Sequence, residues 1–488
     1  MGLVTPVAPM PLADLGRVHF TGIGGAGMSG IARIMIARGV TVSGSDSADG
    51  EQLASLAALG ADVHVGHAAA NLADADTVVV SSAIRPDNPE LAAARAGGLR
   101  VLHRAAALAS LMLGRRGVAV AGTHGKTTTS SMITTALRHC GADPGYVIGG
   151  ILSETGLGAE DGSGAVFVAE ADESDGSFLM LSPEAAVVTC VEADHLDNYA
   201  GLAEIEGTFA AFARRIVPGG VLVACADDPG ARSLAAAAAE LPIRVRTYGE
   251  ADDADYRITS VVPRGMSVSL KVHGAPGSGP GEPGGPGQVA PVRLALGVPG
   301  RHNALNAAAA YAAVLELGLP SVRAGQAASG LAGYRGARRR MEPKGEAGGI
   351  TVLDSYAHHP TELAADLRAA RDIAPGGRVI AVFQPHLFSR TRIFASEFGA
   401  ALGLADEAFV LDVYAAREDP EPGVTGELVA RAVPGGRAVF LPDAAAVPGA
   451  VADTARPGDL ILTMGAGDVT AQGPLIVAAL RARAGTPG

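Results

Sequence analysis

Cysteine is scarce in this chain of 488 residues, which holds only Cys140, Cys190 and Cys225. An odd number of thiols, widely spaced and without a CxxC or CxxH pair, argues against a disulfide framework or a cysteine zinc site. It predicts reduced thiols in a cytoplasmic protein. Positive charge is also short: 38 Lys and Arg stand against 50 Asp and Glu, a formal net charge of −12. That balance disfavours nucleic acid or an anionic membrane as partner, since a phosphate backbone needs a basic face. No uncharged apolar stretch reaches the roughly 20 residues of a membrane span. The N-terminal MGLVTPVAPMPLADLGRVHF lacks a basic region followed by a continuous apolar one, so neither export nor anchoring is expected.

What is present is apolar and regularly punctuated. Hydrophobic residues make up 48% and charged ones 18%, a composition of well-buried sheets rather than disorder. A soft prior of about 100 to 200 residues per domain suggests three. Arg17–Phe20, a glycine loop, a helical stretch from Ile31 to Arg38 and Val40–Val42 read as a βαβ opening. Thr77–Ser82 is a further strand, and a boundary falls near residue 108. The second block, 109–325, opens on Val118–Ala121, a loop and a helix through His139. It continues with strands Ala165–Ala169 and Ala186–Val191, and an Ala-rich helix from Asn303 to Leu317 closes it. Residues 274–291, dense in Gly and Pro, read as a solvated loop without function. The third block, 326–488, carries evenly spaced strand candidates at 350–353, 379–383, 408–413, 438–441 and 460–464, a third doubly wound sheet.

Two loops carry chemistry. Gly22-Ile23-Gly24-Gly25-Ala26-Gly27 satisfies GxGxxG between a strand and a helix, and Asp46 follows the next strand at the spacing of a ribose-binding acid. Such glycines let backbone N–H groups and a helix N-terminus approach any nucleotide diphosphate. A nicotinamide cofactor, another nucleotide and a plain tight turn all stay open at this point. The second loop, Gly122-Thr123-His124-Gly125-Lys126-Thr127-Thr128, is two residues shorter between its glycines than a full Walker A, yet keeps the working parts. Gly125 opens the helix, Lys126 can bridge the outer phosphates and Thr127 can offer its hydroxyl to Mg²⁺. The acids of Glu170-Ala171-Asp172-Glu173-Ser174-Asp175 follow one strand, with Glu170 the candidate metal ligand. His195 follows the next strand as a candidate ligand for a second metal.

The ordered set GIGGAGM, GTHGKTTT, EADESD, EADHLDNY, GRHNALNAAAA, HHPTE and FQPH..SRTR closely resembles the Mur ligase family over nearly the whole chain. The resemblance implies an α/β architecture of three domains: an N-terminal Rossmann-like one, a central P-loop ATPase and a C-terminal Rossmann-like one. It implies an ATP- and Mg²⁺-dependent ligase of peptidoglycan precursor synthesis, acting as a monomer or homodimer on the small molecules UDP-N-acetylmuramate and L-alanine. Lys126 and residues 122–128 would hold the phosphates, with Thr127 and Glu170 at one Mg²⁺ and His195 at a second. His302 and Asn303 would face adenine, Asp354 the ribose, and one of Arg339 and Arg340 the phosphates. Tyr356, His358 and Arg390 match the amino-acid site, Arg390 as the fork for a carboxylate. The Gly22–Gly27 loop would bind the UDP diphosphate, with Asp46, Ser81, Ser82 and Arg104 toward the uridine and sugar; the same glycine geometry then serves UDP instead of a nicotinamide. Departures from the family pattern fall at Ser355, Ala357, Leu387 and Cys190. A ligase that recycles a whole tripeptide and a nucleotide-sugar sensor without turnover are the rival readings.

Overall fold

Runs such as Val118–Ala121 and Val221–Cys225 are apolar at every position, the pattern of strands covered on both faces, and the computed structural model buries them inside parallel sheets. It describes residues 3–196, 198–274, 290–416 and 418–485. The Gly/Pro-rich loop expected at 274–291 lies, from 275 to 289, outside the described residues. The chain forms two compact units: Met1–Thr259 with Lys271–Leu294 and Leu305–Tyr334, and Ser260–Leu270 with Ala295–Ala304 and Arg335–Gly488.

The first unit holds two sheets. One has five parallel strands in the order Asp62–Val65, Val42–Asp46, Val18–Thr21, Thr77–Val80, Arg100–His103. Strand order reverses at Val18–Thr21, so a crevice for a ligand opens at its carboxyl end, where the first glycine loop begins. In the other sheet Arg116–Ala121 lies between Ala185–Val188 and Val166–Glu170, all parallel. Val221–Cys225 and Arg244–Gly249 follow on one side and Gly145–Val147 on the other. The phosphate loop and the acids thus leave adjacent strands at the same edge.

The second unit is built on a six-stranded sheet in the order Glu342–Ala347, Ile350–Ser355, Leu460–Met464, Val379–Phe383, Glu407–Val410, Ala438–Phe440. Its first pair is antiparallel and the rest are parallel. Side chains alternate between faces along a strand. Accordingly Val379, Ala381 and Phe383 pack with Leu363, Leu367 and Phe398, while Ile380 and Val382 pack with Val451, Ile476 and Leu480.

Several element bounds differ from the sequence reading. The helix expected from Ile31 begins at Ala26, because the glycine loop leads straight into its first turn. The strand expected at Val40–Val42 is Val42–Asp46, whose Ser-Gly-Ser-Asp sequence has little strand propensity. Packing supplies the reason: a Cβ at Gly44 would stand 2.6 Å from Ile23 Cδ1, so only glycine lets the loop close over the strand. The expected strand 186–191 ends at Val188. There the Thr189 hydroxyl donates to the carbonyl of His124, drawing the chain toward the phosphate loop.

Candidate active site

Gly122 and Gly125 have φ of 130° and 82°, conformations that side chains rarely adopt, and Gly125 opens the helix Lys126–His139. The turn brings the Lys126 ammonium back over its own loop. It donates to the carbonyls of Gly122 at 2.7 Å and Thr123 at 3.1 Å, and to Glu173 Oε1 at 2.8 Å. Burial opposes the lysine's charge, but Glu173, Asp172 and Glu170 outweigh it, and its pKa is raised. Thr127 donates to Glu170 Oε1 at 3.1 Å, and the Gly149 N–H donates to the other oxygen at 2.7 Å.

Each acid of the loop after Val166–Glu170 has a different partner. Glu170 meets Thr127. Asp172 takes the Arg104 guanidinium; burial pushes its pKa up, but Arg104 prevails and the net direction is down. Glu173 takes Lys126 and lies 3.6 Å from His195 Nε2. Asp175 accepts from Ser82 and stands 3.4 Å from His103 Nε2. Burial raises the Asp175 pKa, yet bonds from His103, Ser177 and Ser82 hold it below the ordinary range. Tyr199 donates to the Glu173 carbonyl and Asn198 to that of Ser174 at 3.0 Å, fastening the acid loop to the His195 loop.

The residues fit a hard divalent cation. Thr127 and Glu170 place a hydroxyl and a carboxylate together, as Mg²⁺ requires. Glu173 is 2% exposed and its Oε2 has no hydrogen-bond partner among the described residues. A buried carboxylate oxygen left so is costly unless a cation uses it. His195, at φ 53°, sets its Nε2 3.6 Å from both Glu173 and Asp194.

At the first glycine loop, the N–H groups of Gly22 and Ile23 donate to the Ser45 carbonyl at 2.8 and 2.9 Å, and that of Gly24 to Asp46 Oδ2 at 2.9 Å. Asp46 therefore shapes the loop. Gly25 caps the helix Ala26–Ala37. A Cβ at Gly27 would stand 3.1 Å from Arg104 Nη1, so the glycine admits a guanidinium to the helix N-terminus. A helix N-terminus with an adjacent cation suits a diphosphate. Arg104 thus joins this loop to the acid loop, and Ser82 donates to Asp175 of the acid loop.

The remaining candidates are described within the second unit. The Asn303 amide donates to the Pro299 carbonyl at 2.7 Å, and His302 Nε2 lies 3.7 Å from Asp366. Burial lowers the His302 pKa against the pull of Asp366. Asp354 is wholly buried, accepting from Thr463 at 2.6 Å and Thr470 at 2.7 Å, with Arg339 Nε at 3.4 Å. It anchors Arg339, whose guanidinium also donates to the Gly465 carbonyl at 2.6 Å and lies 4.8 Å over the Tyr356 ring. Arg340 lies over the same ring at 5.4 Å. His358 Nδ1 is 3.0 Å from the Tyr356 carbonyl and its ring stands edge-on to Tyr356. Arg390 is buried in the first turn of Phe388–Leu402, preceded by buried Leu387 at φ 70°. Of the other departures, Ser355 donates to Asp366, Ala357 is buried and Cys190 Sγ accepts the His124 N–H at 3.3 Å. Burial, then Glu192, pushes that thiol's pKa up, so it serves as packing beside the loop.

Sequence reasoning did not single out Glu173, Asn306, Asp172 or Asp175. All four lay inside quoted motifs, but only Glu170 of the acid run was assigned a role. Asn306 accepts from Thr129 at 3.3 Å, and its Oδ1 would stand 2.6 Å from a Cβ on Gly125.

A phosphate loop, acids on the neighbouring strand end and a second anion loop define an ATP-using acid–amine ligase. Descriptions of the Mur ligase family match almost end to end: its catalytic domain at residues 17–116, middle domain at 120–314 and glutamate ligase domain at 339–467. The chain belongs to the Mur ligase family. It is 57% identical to a UDP-N-acetylmuramate–L-alanine ligase of Thermobifida fusca, over 98% of this chain and 100% of that one. It is equally identical, at 57%, to one of Kineococcus radiotolerans, over 97% and 98% of the two chains. The crystal structure of a UDP-N-acetylmuramate–alanine ligase from Thermotoga maritima matches with a TM-score of 0.77 at 28% identity, covering 96% of this chain and 99% of that one. No helix among the described residues is long and apolar enough to cross a membrane.

Proposed function

We propose that this chain joins L-alanine to the carboxylate of UDP-N-acetylmuramate at the expense of ATP, giving the amide, ADP and phosphate. A muramic carboxylate oxygen attacks the γ-phosphorus as the bond to ADP breaks. The amine then attacks the acyl carbon, phosphate departs with its oxygen, and the amine loses a proton. Lys126 and the loop N–H groups hold the transferring phosphoryl group, stabilising charge that grows during transfer. Mg²⁺ held by Thr127 and Glu170, with His195 and Glu173 toward a second ion, would neutralise phosphate charge. The Gly22–Gly27 loop with Arg104 takes the UDP diphosphate, and Arg390 with Tyr356 and His358 takes alanine. Functional domains at 1–108, 109–325 and 326–488 accord with this division.

The observation that carries the reading is the loop Glu170–Asp175, whose acids reach both anion loops inside one compact unit. One segment thereby links the site for the acid's nucleotide to the site for ATP. Phosphate release is measured with ATP, Mg²⁺, UDP-N-acetylmuramate and L-alanine, each omitted in turn. It is expected only from the complete mixture, and release that persists without the sugar acid refutes the proposal. Replacing L-alanine by L-alanyl-D-glutamyl-diaminopimelate or D-glutamate tests the rival amine classes.

A further inference from the structure

Glu90 lies outside every motif used above, yet it is completely buried. It sits in the first turn of Pro89–Ala96, whose cap Asn88 accepts the N–H groups of Glu90 at 2.9 Å and Leu91 at 3.3 Å. Its Oε2 accepts from Ser45 at 2.7 Å and Thr21 at 2.8 Å, with His19 Nε2 at 3.3 Å. Its Oε1 accepts from the Asn71 amide at 2.8 Å and the Ala68 N–H at 3.3 Å. His67 Nδ1, 3.6 Å from Oε2, lies 2.8 Å from the Ser45 hydroxyl.

These donors converge from two parallel strands and the loop after the third. Thr21 and Ser45 stand opposite each other in register at the carboxyl ends of Val18–Thr21 and Val42–Asp46. Ser45 is also the residue whose carbonyl receives both Gly22 and Ile23, and Asp46 beside it receives Gly24. The glycine loop therefore hangs on Ser45, and the Ser45 side chain is held by Glu90. A buried carboxylate is a poor device for stability alone, since well-packed apolar groups in its place are often neutral or better. It is a good device for fixing two strand ends at one spacing, because removing it strands several buried donors.

We infer that Glu90 is a positioning residue for the UDP-sugar subsite: through Ser45 it sets the glycine loop, and with it the N-terminus of the helix Ala26–Ala37 that receives the diphosphate, without itself touching the ligand. This rests on the reading that the loop takes that diphosphate. Full-length wild type, Glu90→Gln and Ser45→Ala are compared by calorimetry with UDP-N-acetylmuramate and, separately, ADP, and by steady-state ligation. Glu90→Gln keeps the shape but turns one acceptor into a donor facing donors. Ser45→Ala removes a single hydroxyl, keeps the carbonyl, and carries the test should the first variant fail to fold. Both are expected to weaken UDP-sugar binding and raise its KM about tenfold, with ADP affinity and kcat at saturating sugar within about twofold of wild type. A variant that melts earlier but keeps wild-type sugar affinity overturns the inference and leaves Glu90 a structural group. Absence of sugar binding by the wild type sinks the functional reading instead, and this inference with it.

Discussion

Replacing Lys126 by methionine separates what this side chain does for catalysis from what it does for the fold. Its ammonium is the partner of Glu173, which is 2% exposed, with Oε1 at 2.8 Å. Methionine fills similar space but leaves that carboxylate, among the described residues, facing His195 at 3.6 Å. Breaking one side of a buried ion pair costs about 3–5 kcal/mol, because the remaining charge is uncompensated. Lys126→Met should therefore melt clearly earlier than wild type and lose about 10²–10³ in kcat, the typical effect of deleting a preorganised anion-binding group.

Glu173→Gln in the same chain removes the stranded charge. The double variant should recover most of the lost melting temperature while staying as inactive as the single one, a coupling that a double-mutant cycle isolates. Differential scanning calorimetry gives the order of melting, which is read in preference to a free energy because a chain of several sheets need not unfold in one step. Phosphate release gives the activity. The reasoning is refuted if Lys126→Met ligates at near wild-type rate, or if the double variant melts no later than the single one.

Gly125→Ala places a Cβ at φ 82° and 2.6 Å from Asn306 Oδ1, so titration calorimetry should show ADP affinity reduced about tenfold for a strain of roughly 1–2 kcal/mol. Arg390→Lys keeps the charge but loses the fork, and the KM for L-alanine should rise at least about tenfold with sugar KM unchanged; equal alanine KM in both would remove Arg390 from that site. Glu90 has its pKa lowered to about 2: burial pushes upward, but bonds from His19, Ser45, Asn71 and Thr21 prevail. Because the folded value lies below the ordinary 4.5, its contribution is complete above about pH 4.5 and is lost as pH falls toward 2. The melting-temperature gap between wild type and Glu90→Gln should close over that interval, and a constant gap would show that the charge is irrelevant.

What was legible in the sequence and what was not divide along a physical line. Gly22, Gly125, Lys126 and Thr127 announce themselves because an anion loop is chain-local: a strand, a turn only glycine can make, a helix N-terminus and the residues just beyond; Glu170 announces itself as the first acid off the end of a strand. Fold class followed from the same punctuation, since apolar runs of strand length alternate with helical ones. The strand Val42–Asp46 was misplaced because its sequence obeys packing against Ile23 rather than propensity. The residues that hold the site were hidden for another reason. Glu90 lies 69 positions from Thr21 and 45 from Ser45, and Asn306 177 from Thr129, so no local period or spacing marks them. Within the acid cluster, composition gave four carboxylates but not their assignment. Only the fold sends Asp172 to Arg104, Glu173 to Lys126 and Asp175 to Ser82. That assignment also bears on the reading of the first glycine loop. Gly22–Gly27 alone suits any diphosphate, and Arg104 at its helix, paired with Asp172, links it to the acid loop that also holds Lys126; that link is what supports the proposed sugar-nucleotide site over a nicotinamide one.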